Sequence, residues 1–157
     1  MLDRALRPLV DPILEIMATP IEVRGISANQ VTWVGFGFGL IAMGCAMAEV
    51  YLLALMAFLL NRLADGIDGC LALRLGKTDL GGYFDIVLDF IIYAGLVFGM
   101  AVAMPEKAVA ACFLIFSFIG TGVSFLAFAV LAEKRKLSDK IWSGKSFYYL
   151  GGLTEGA

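Results

Sequence analysis

Four apolar stretches organise this chain, three of them longer than a soluble helix of ordinary length and the second short, continuing into a charged segment. They run from about Val31 to Met47, from Val50 to Leu60, from Leu80 through Phe90 to Met104, and from Ala108 to Leu131. A helix that crosses a bilayer needs about 20 mainly apolar residues. The whole chain has 157 residues, 61% of them hydrophobic and 17% charged. A soluble domain is about 45–50% apolar and about 25% charged. The expectation is a single all-α integral membrane domain over residues 1–157.

The runs divide the chain in order. Residues 2–18 place Leu2, Leu6, Leu9, Val10, Ile13, Leu14 and Met17 near one face of a helical period, with Pro8 and Pro12 interrupting. That pattern predicts an amphipathic helix in the membrane interface. Four membrane helices are expected at about 31–47, 50–73, 80–104 and 108–131, with a tight turn near Glu49 and a break at Pro105. The glycines at 35, 37, 39 and 44 suit close helix packing in lipid. A charged loop follows at 133–146, and residues 147–157 read as the start of a fifth membrane helix, as if the chain were truncated.

Charge placement gives a topology. Arg4, Arg7, Arg24, Arg62, Arg74, Lys77, Lys134, Arg135, Lys136, Lys140 and Lys145 fall on one side of such an arrangement and Lys107 on the other. The positive-inside rule assigns the first side to the cytoplasm, in a plasma or inner membrane. The formal net charge of −2 and the lack of a basic stripe with interleaved aromatics give no sign of a nucleic-acid partner. Histidine is absent, which removes the commonest general base. Cys45, Cys70 and Cys112 lack metal-site spacing and read as free core thiols.

Between the second and third apolar runs lies the segment from Asn61 to Asp89, which holds five of the eight aspartates. Asp65 and Asp68 are three apart, Asp85 and Asp89 four apart, so on helices each pair shares a face. An ionisable residue inside a span costs about 2.5–3.5 kcal/mol on insertion scales and marks function by default. Carboxylates without His or Cys favour Mg²⁺, Ca²⁺ or Mn²⁺, and two such ions can clamp both oxygens of a phosphoryl displacement. Gly66, Gly69, Gly81 and Gly82 allow either phosphate approach or helix packing. The residues alone thus predict a metal site for a diphosphate-bearing substrate at the cytoplasmic membrane surface.

Asp65, Asp68, Gly69, Ala72, Gly81, Asp85 and Asp89 resemble the Asp-x2-Asp-Gly-x2-Ala-Arg-x8-Gly-x3-Asp-x3-Asp signature of the CDP-alcohol phosphatidyltransferases. Asn29 and Thr32 are similar to the Pro-Asn-x-x-Thr element that opens that family's first span. Two departures stand out. Leu73 occupies the place of the family arginine, with Arg74 one position later, and the segment before Gly81 is one residue short. The resemblance covers about residues 25–157 and implies a six-span fold.

It also implies an activity, in which an alcohol acceptor attacks a CDP-linked lipid, commonly CDP-diacylglycerol, giving a phosphodiester-linked lipid and CMP. By this resemblance Asp65, Asp68, Asp85 and Asp89 hold Mg²⁺ or Mn²⁺, as two ions, and Asp89 is the general base. Gly69, Ala72, Arg74, Gly81, Asn29 and Thr32 are the candidates for binding the CDP moiety. Lys134, Arg135 and Lys136 are candidates for an acceptor phosphate, or else hold anionic lipid headgroups. Expected partners are the CDP-lipid, a small alcohol and membrane lipid, with a homodimer as a candidate assembly.

Three other readings compete. An intramembrane prenyltransferase also uses aspartates to bind Mg²⁺-diphosphate, but separates its motifs by half a larger chain. A divalent-cation or proton transporter would favour acidic residues at mid-membrane and broken helices in paired halves. An inactive or regulatory fragment of the transferase family is the third.

Overall fold

The computed structural model describes residues 2–134, with side chains described for residues 10–131. Lys134 closes the last helix with its side chain outside that range, and Arg135, Lys136 and the expected fifth helix lie outside the described residues. Five α-helices follow in order: α1 (Leu2–Val23), α2 (Ala28–Met47), α3 (Tyr51–Leu75), α4 (Asp79–Ala103) and α5 (Ala108–Lys134). A 3₁₀ turn at Pro105–Lys107 joins the last two.

Local chemistry sets the helix ends. Gly25, at φ +74°, ends α1, and the Ile26 N–H returns to the Ile21 carbonyl, the left-handed glycine close of many helices. Ser27 then caps α2 in a reciprocal capping box with Gln30. Gly76, at φ +100°, ends α3, and the Thr78 hydroxyl caps α4 by accepting from the Gly81 N–H at 3.0 Å. The turn between α2 and α3 is only three residues long and holds Glu49 at φ +62°.

α1 continues through Pro8 and Pro12 rather than breaking there. A proline removes one backbone bond to the carbonyl four residues back. Around Pro12 the residues Val10, Asp11 and Ile13 are exposed, so freed carbonyls on that side can find other partners. The opposite side is covered: Ala18, Val31, Ala64, Ile67 and Leu71 form one buried cluster, with Leu14 and Ile21 packed against it.

α2 is the centre of the bundle, because it packs on both α3 and α4 while α3 and α4 have little direct backbone contact. Thr32 meets Asp68, and Gly35 meets Ala64, so α2 and α3 are antiparallel. Asn29 meets Gly81, Gly39 meets Ile92 and Met43 meets Gly99, so α2 and α4 run the same way. Close approach is what these small residues supply. A Cβ on Gly35 would lie 2.9 Å from the Ala64 Cβ, and one on Gly39 would lie 2.5 Å from Ile92. Gly37 and Gly44 face open space, so only half of the α2 glycines serve packing against the described residues.

The bundle turns its apolar side chains outward. Leu52, Phe98, Phe113, Phe116, Ile119 and Val123 are all exposed, the pattern of a surface meant for lipid. α2, α4 and Pro105–Leu131 are each long and apolar enough to cross a membrane. α3 is as long as α4 but carries Arg62, Asp65, Asp68 and Arg74. The protein is an all-α integral membrane protein. All three cysteines are free, but Cys112 is exposed on α5 rather than sitting in the core.

Candidate metal centre between helices three and four

With α2 as its back wall, the gap between α3 and α4 is a cleft lined by Thr32, Asn61, Asp65, Asp68, Asp85 and Asp89, among others. At 1.5 Å per helical residue, Asp68 lies about 10 Å from the Leu75 end of α3 and Asp85 about 9 Å from the Asp79 start of α4. On the same measure Asp65 and Asp89 lie about 15 Å in, and Arg62 and Tyr93 about 20 Å in. The cleft therefore has a mouth toward the 76–78 connection and a floor deeper in the bundle.

At the mouth, one carboxylate oxygen each from Asp65, Asp68 and Asp85 lies within 4.8 Å of the others. Asp68 is 5% exposed, so its charge has little water to lean on. The Thr32 hydroxyl reaches Asp68 Oδ2 at 2.6 Å and also the Ala28 carbonyl at 3.1 Å, and its single proton can serve only one of them fully. A bound divalent ion with oxygens at about 2.0–2.6 Å spaces opposite ligands about 4–5 Å apart. The three-oxygen set has that size and the hard-donor chemistry of Mg²⁺, Ca²⁺ or Mn²⁺. The residues fit a metal.

The floor is organised differently. The Arg62 guanidinium donates to both oxygens of Asp89 and to the Tyr93 hydroxyl, with a longer contact of 3.5 Å to Asp65. Tyr93, one helical turn beyond Asp89, donates its hydroxyl proton to Asp89 Oδ2 at 3.1 Å. Arg62 Nε donates to Asn61 Oδ1 at 3.0 Å, and Asn61 Nδ2 donates to the Gly35 carbonyl at 3.0 Å. The guanidinium also lies over the Tyr93 ring at 4.9 Å and the Phe58 ring at 5.7 Å.

The remaining sequence candidates divide. Gly81 belongs to the α2–α4 contact, since a Cβ there would sit 2.9 Å from Asn29 Oδ1 and from Thr78 Oγ1. Gly69 is exposed with nothing within 4 Å of a Cβ, and Ala72 is half-buried. Gly66 packs against Leu14 of α1 rather than facing the cleft. Arg74 is turned to α1, donating to Glu22 at 3.0 Å and to Thr19 Oγ1 at 3.1 Å, and does not line the cleft. The structure brings together the four aspartates and Thr32, and leaves Arg74 apart.

Sequence reasoning misses the floor. It counts Arg62 only among the charges of the cytoplasmic side and gives it no partner, whereas within α3 Arg62 is paired with Asp89. A signal for it exists: an arginine embedded in an apolar run needs a counter-charge, and Asp89 with Tyr93 at i,i+4 offers one helix face that supplies it.

The model of the CDP-alcohol phosphatidyltransferase family matches residues 26–151. The chain belongs to that family. Membership makes it a phosphotransferase, of a family that uses divalent metal, and the aspartate cluster is its candidate metal centre. Among relatives, the chain is 50% identical over 157 residues to the inner membrane protein YnjF of Escherichia coli strain K12, covering 99% of this chain and 76% of that protein. It is 32% identical over 97 residues to the archaetidylinositol phosphate synthase of Pyrococcus horikoshii, covering 61% of this chain and 52% of the synthase. An uncharacterized protein of Aquifex aeolicus is 36% identical over 94 residues, covering 57% and 46% respectively. No solved structure is significantly similar.

Proposed function

We propose that the protein transfers a phosphatidyl group from a CDP-linked lipid, commonly CDP-diacylglycerol, to an alcohol acceptor and releases CMP, at the cytoplasmic face of the membrane. The observation that carries this reading is the set of three carboxylate oxygens within 4.8 Å, from two helices, in a chain of this family. The similarity to an archaetidylinositol phosphate synthase supports phospholipid synthesis as the setting.

In this reading Asp65, Asp68 and Asp85 would hold Mg²⁺ or Mn²⁺, as two ions, and Asp89 would serve as the proton acceptor. When bound, the metal would offset the diphosphate charge and the charge that develops on the departing CMP. Asp89 accepts the proton of the acceptor hydroxyl as that oxygen forms its bond to the lipid-side phosphorus. The bond from that phosphorus to the CMP oxygen breaks, and CMP leaves with the electron pair. A carboxylate is the natural proton acceptor in a chain without histidine. Thr32 orients Asp68. Asn29 and Gly81, which touch at the entry of α4, flank the place for the CDP moiety, with Gly69 and Ala72 on the facing helix. Apolar side chains around the bundle keep the lipid tails in the bilayer, and the positive-inside count supports a cytoplasmic mouth.

Glycerol phosphate, inositol, inositol phosphate, serine and choline are the candidate acceptors. The purified protein, given CDP-diacylglycerol, is expected to release CMP only with an acceptor alcohol and Mg²⁺ or Mn²⁺ both present. A screen of the five alcohols by CMP release identifies the acceptor. Failure of any CDP-lipid to bind sinks the reading.

A further inference from the structure

We propose that Arg62 and Tyr93 are positioning residues for Asp89: together they occupy three of its acceptor sites and leave one, on Oδ1, to take the proton. The inference rests on the reading of Asp89 as proton acceptor. An ionised carboxylate has about four lone-pair sites. Arg62 Nη1 and the Tyr93 hydroxyl both donate to Oδ2, at 2.9 and 3.1 Å, and Arg62 Nη2 donates to Oδ1. Oδ2 is filled. The remaining site is on Oδ1, in a side chain that lines the cleft.

The guanidinium is itself held on every side. Asn61 accepts from its Nε and is tied in turn to the Gly35 carbonyl of α2, and Asn61 is only 4% exposed. Phe58 and Tyr93 lie on the guanidinium as aromatic surfaces. A planar five-donor fork so braced cannot follow a swinging carboxylate, whereas a lysine in its place could. The chain of contacts from the α2 backbone through Asn61 and Arg62 to Asp89 therefore fixes the direction of one oxygen. Proton transfer needs a donor–acceptor distance of about 2.6–3.2 Å, so direction at this level sets turnover. Arg62 lies below Asp89 in the cleft, on the side away from the mouth, so it acts through Asp89 and not on the substrate.

The test is a double-mutant cycle on CMP release from CDP-diacylglycerol, with whichever of the five acceptors supports it and a radiolabelled lipid to follow slow variants. Asp89→Asn alone tests the parent reading, and full activity in that variant ends it whatever Arg62 does. If Asp89→Asn is severely impaired, Arg62→Ala is expected to lower kcat at least about 30-fold with KM for the CDP-lipid within about threefold. Arg62→Ala added to Asp89→Asn should then cost nothing more, because the two act as a unit. Guanidinium ion in the assay should recover part of the kcat of Arg62→Ala and none of that of Asp89→Asn.

Tyr93→Phe, which keeps the ring and loses the hydroxyl, is expected to lower kcat about three- to tenfold at unchanged KM, roughly the worth of one hydrogen bond. It decides the question if Arg62→Ala does not fold. Three results overturn the proposal while leaving Asp89 as the base. These are wild-type kcat in Arg62→Ala or Tyr93→Phe, a raised KM with unchanged kcat in either variant, and a full additional loss in the double variant.

Discussion

At the mouth of the cleft Asp65, Asp68 and Asp85 bring oxygens within 4.8 Å of one another, whereas at the floor Asp89 is held by Arg62 and Tyr93. Both regions gather carboxylates between the same two helices. The floor is neutralised from within, by a guanidinium that the sequence places one turn before Asp65. The mouth has one hydroxyl, from Thr32, and a longer 3.5 Å contact from the same guanidinium to Asp65, to set against three carboxylates. Like charges so close favour a cation between them. Under the proposed reading the difference separates two jobs: the floor stays as it is, and the mouth takes up positive charge from outside.

Metal removal carries the largest effect. EDTA is expected to abolish CMP release, and Asp68→Asn to lower it on the order of a thousandfold, about 4 kcal/mol of transition-state stabilisation. Without metal, the same Asp68→Asn variant should unfold at or above the wild-type temperature in detergent, since it removes a like charge and its amide oxygen still accepts from Thr32. A metal-free Asp68→Asn protein that unfolds well below wild type would show that the mouth, too, is neutralised from within.

Arg62→Ala should do the reverse. Removing one partner of a buried pair leaves an uncompensated charge and costs about 3–5 kcal/mol. Arg62 and Asp89 side chains are 18% and 25% exposed, buried enough for that range to apply toward its lower end. Replacing both, as Arg62→Met with Asp89→Leu, should recover most of the stability while leaving no activity. Thermal unfolding of the single and double variants in one detergent measures this, and equal losses in both would break the contrast between floor and mouth.

The mouth was legible in the sequence and the floor was not, for a physical reason. Aspartates three or four apart must share a helix face whatever the helix packs on, so Asp65 with Asp68 and Asp85 with Asp89 follow from spacing alone. Which oxygen meets which cation depends on how far α3 slides against α4, and those two helices have little direct backbone contact to set it. Their register is set through α2, by Gly35 against Ala64 and Gly39 against Ile92. Spacing along one helix carries no trace of that. The apolar runs fixed helices for the same reason that they fixed the membrane, but Pro8 and Pro12 suggested a break that the one-sided packing of α1 does not need.

The role of α2 as a ruler can be tested at Gly35. Its Cβ would lie 2.9 Å from the Ala64 Cβ, and neither atom can rotate away, so Gly35→Ala must part the helices. Overpacking of this kind costs about 1–3 kcal/mol. The same shift loosens the bond from Asn61 to the Gly35 carbonyl and that from Thr32 to Asp68, so both regions of the cleft should lose activity together. Ala64→Gly in the same chain restores the space, at the cost of about 1 kcal/mol for a helical glycine. Activity should return with it. If Gly35→Ala is fully active and stable, the register is set elsewhere.

The smallest effect belongs to Arg74, and it bears on what the cleft lacks. The signature that the chain resembles has its arginine one position earlier, at Leu73, while here Arg74 pairs with Glu22 and Thr19 on α1. Arg74 and Glu22 side chains are 31% and 34% exposed, so the pair is close to a surface ion pair, worth at most about 1 kcal/mol and weaker in salt. Arg74→Ala and Glu22→Ala are therefore expected to lower stability equally and slightly, with KM for the CDP-lipid unchanged in both. A KM that rises in Arg74→Ala but not in Glu22→Ala would mean that Arg74 leaves α1 when substrate arrives. The diphosphate would then have a protein cation of its own at the mouth, and metal would not be its sole positive partner there.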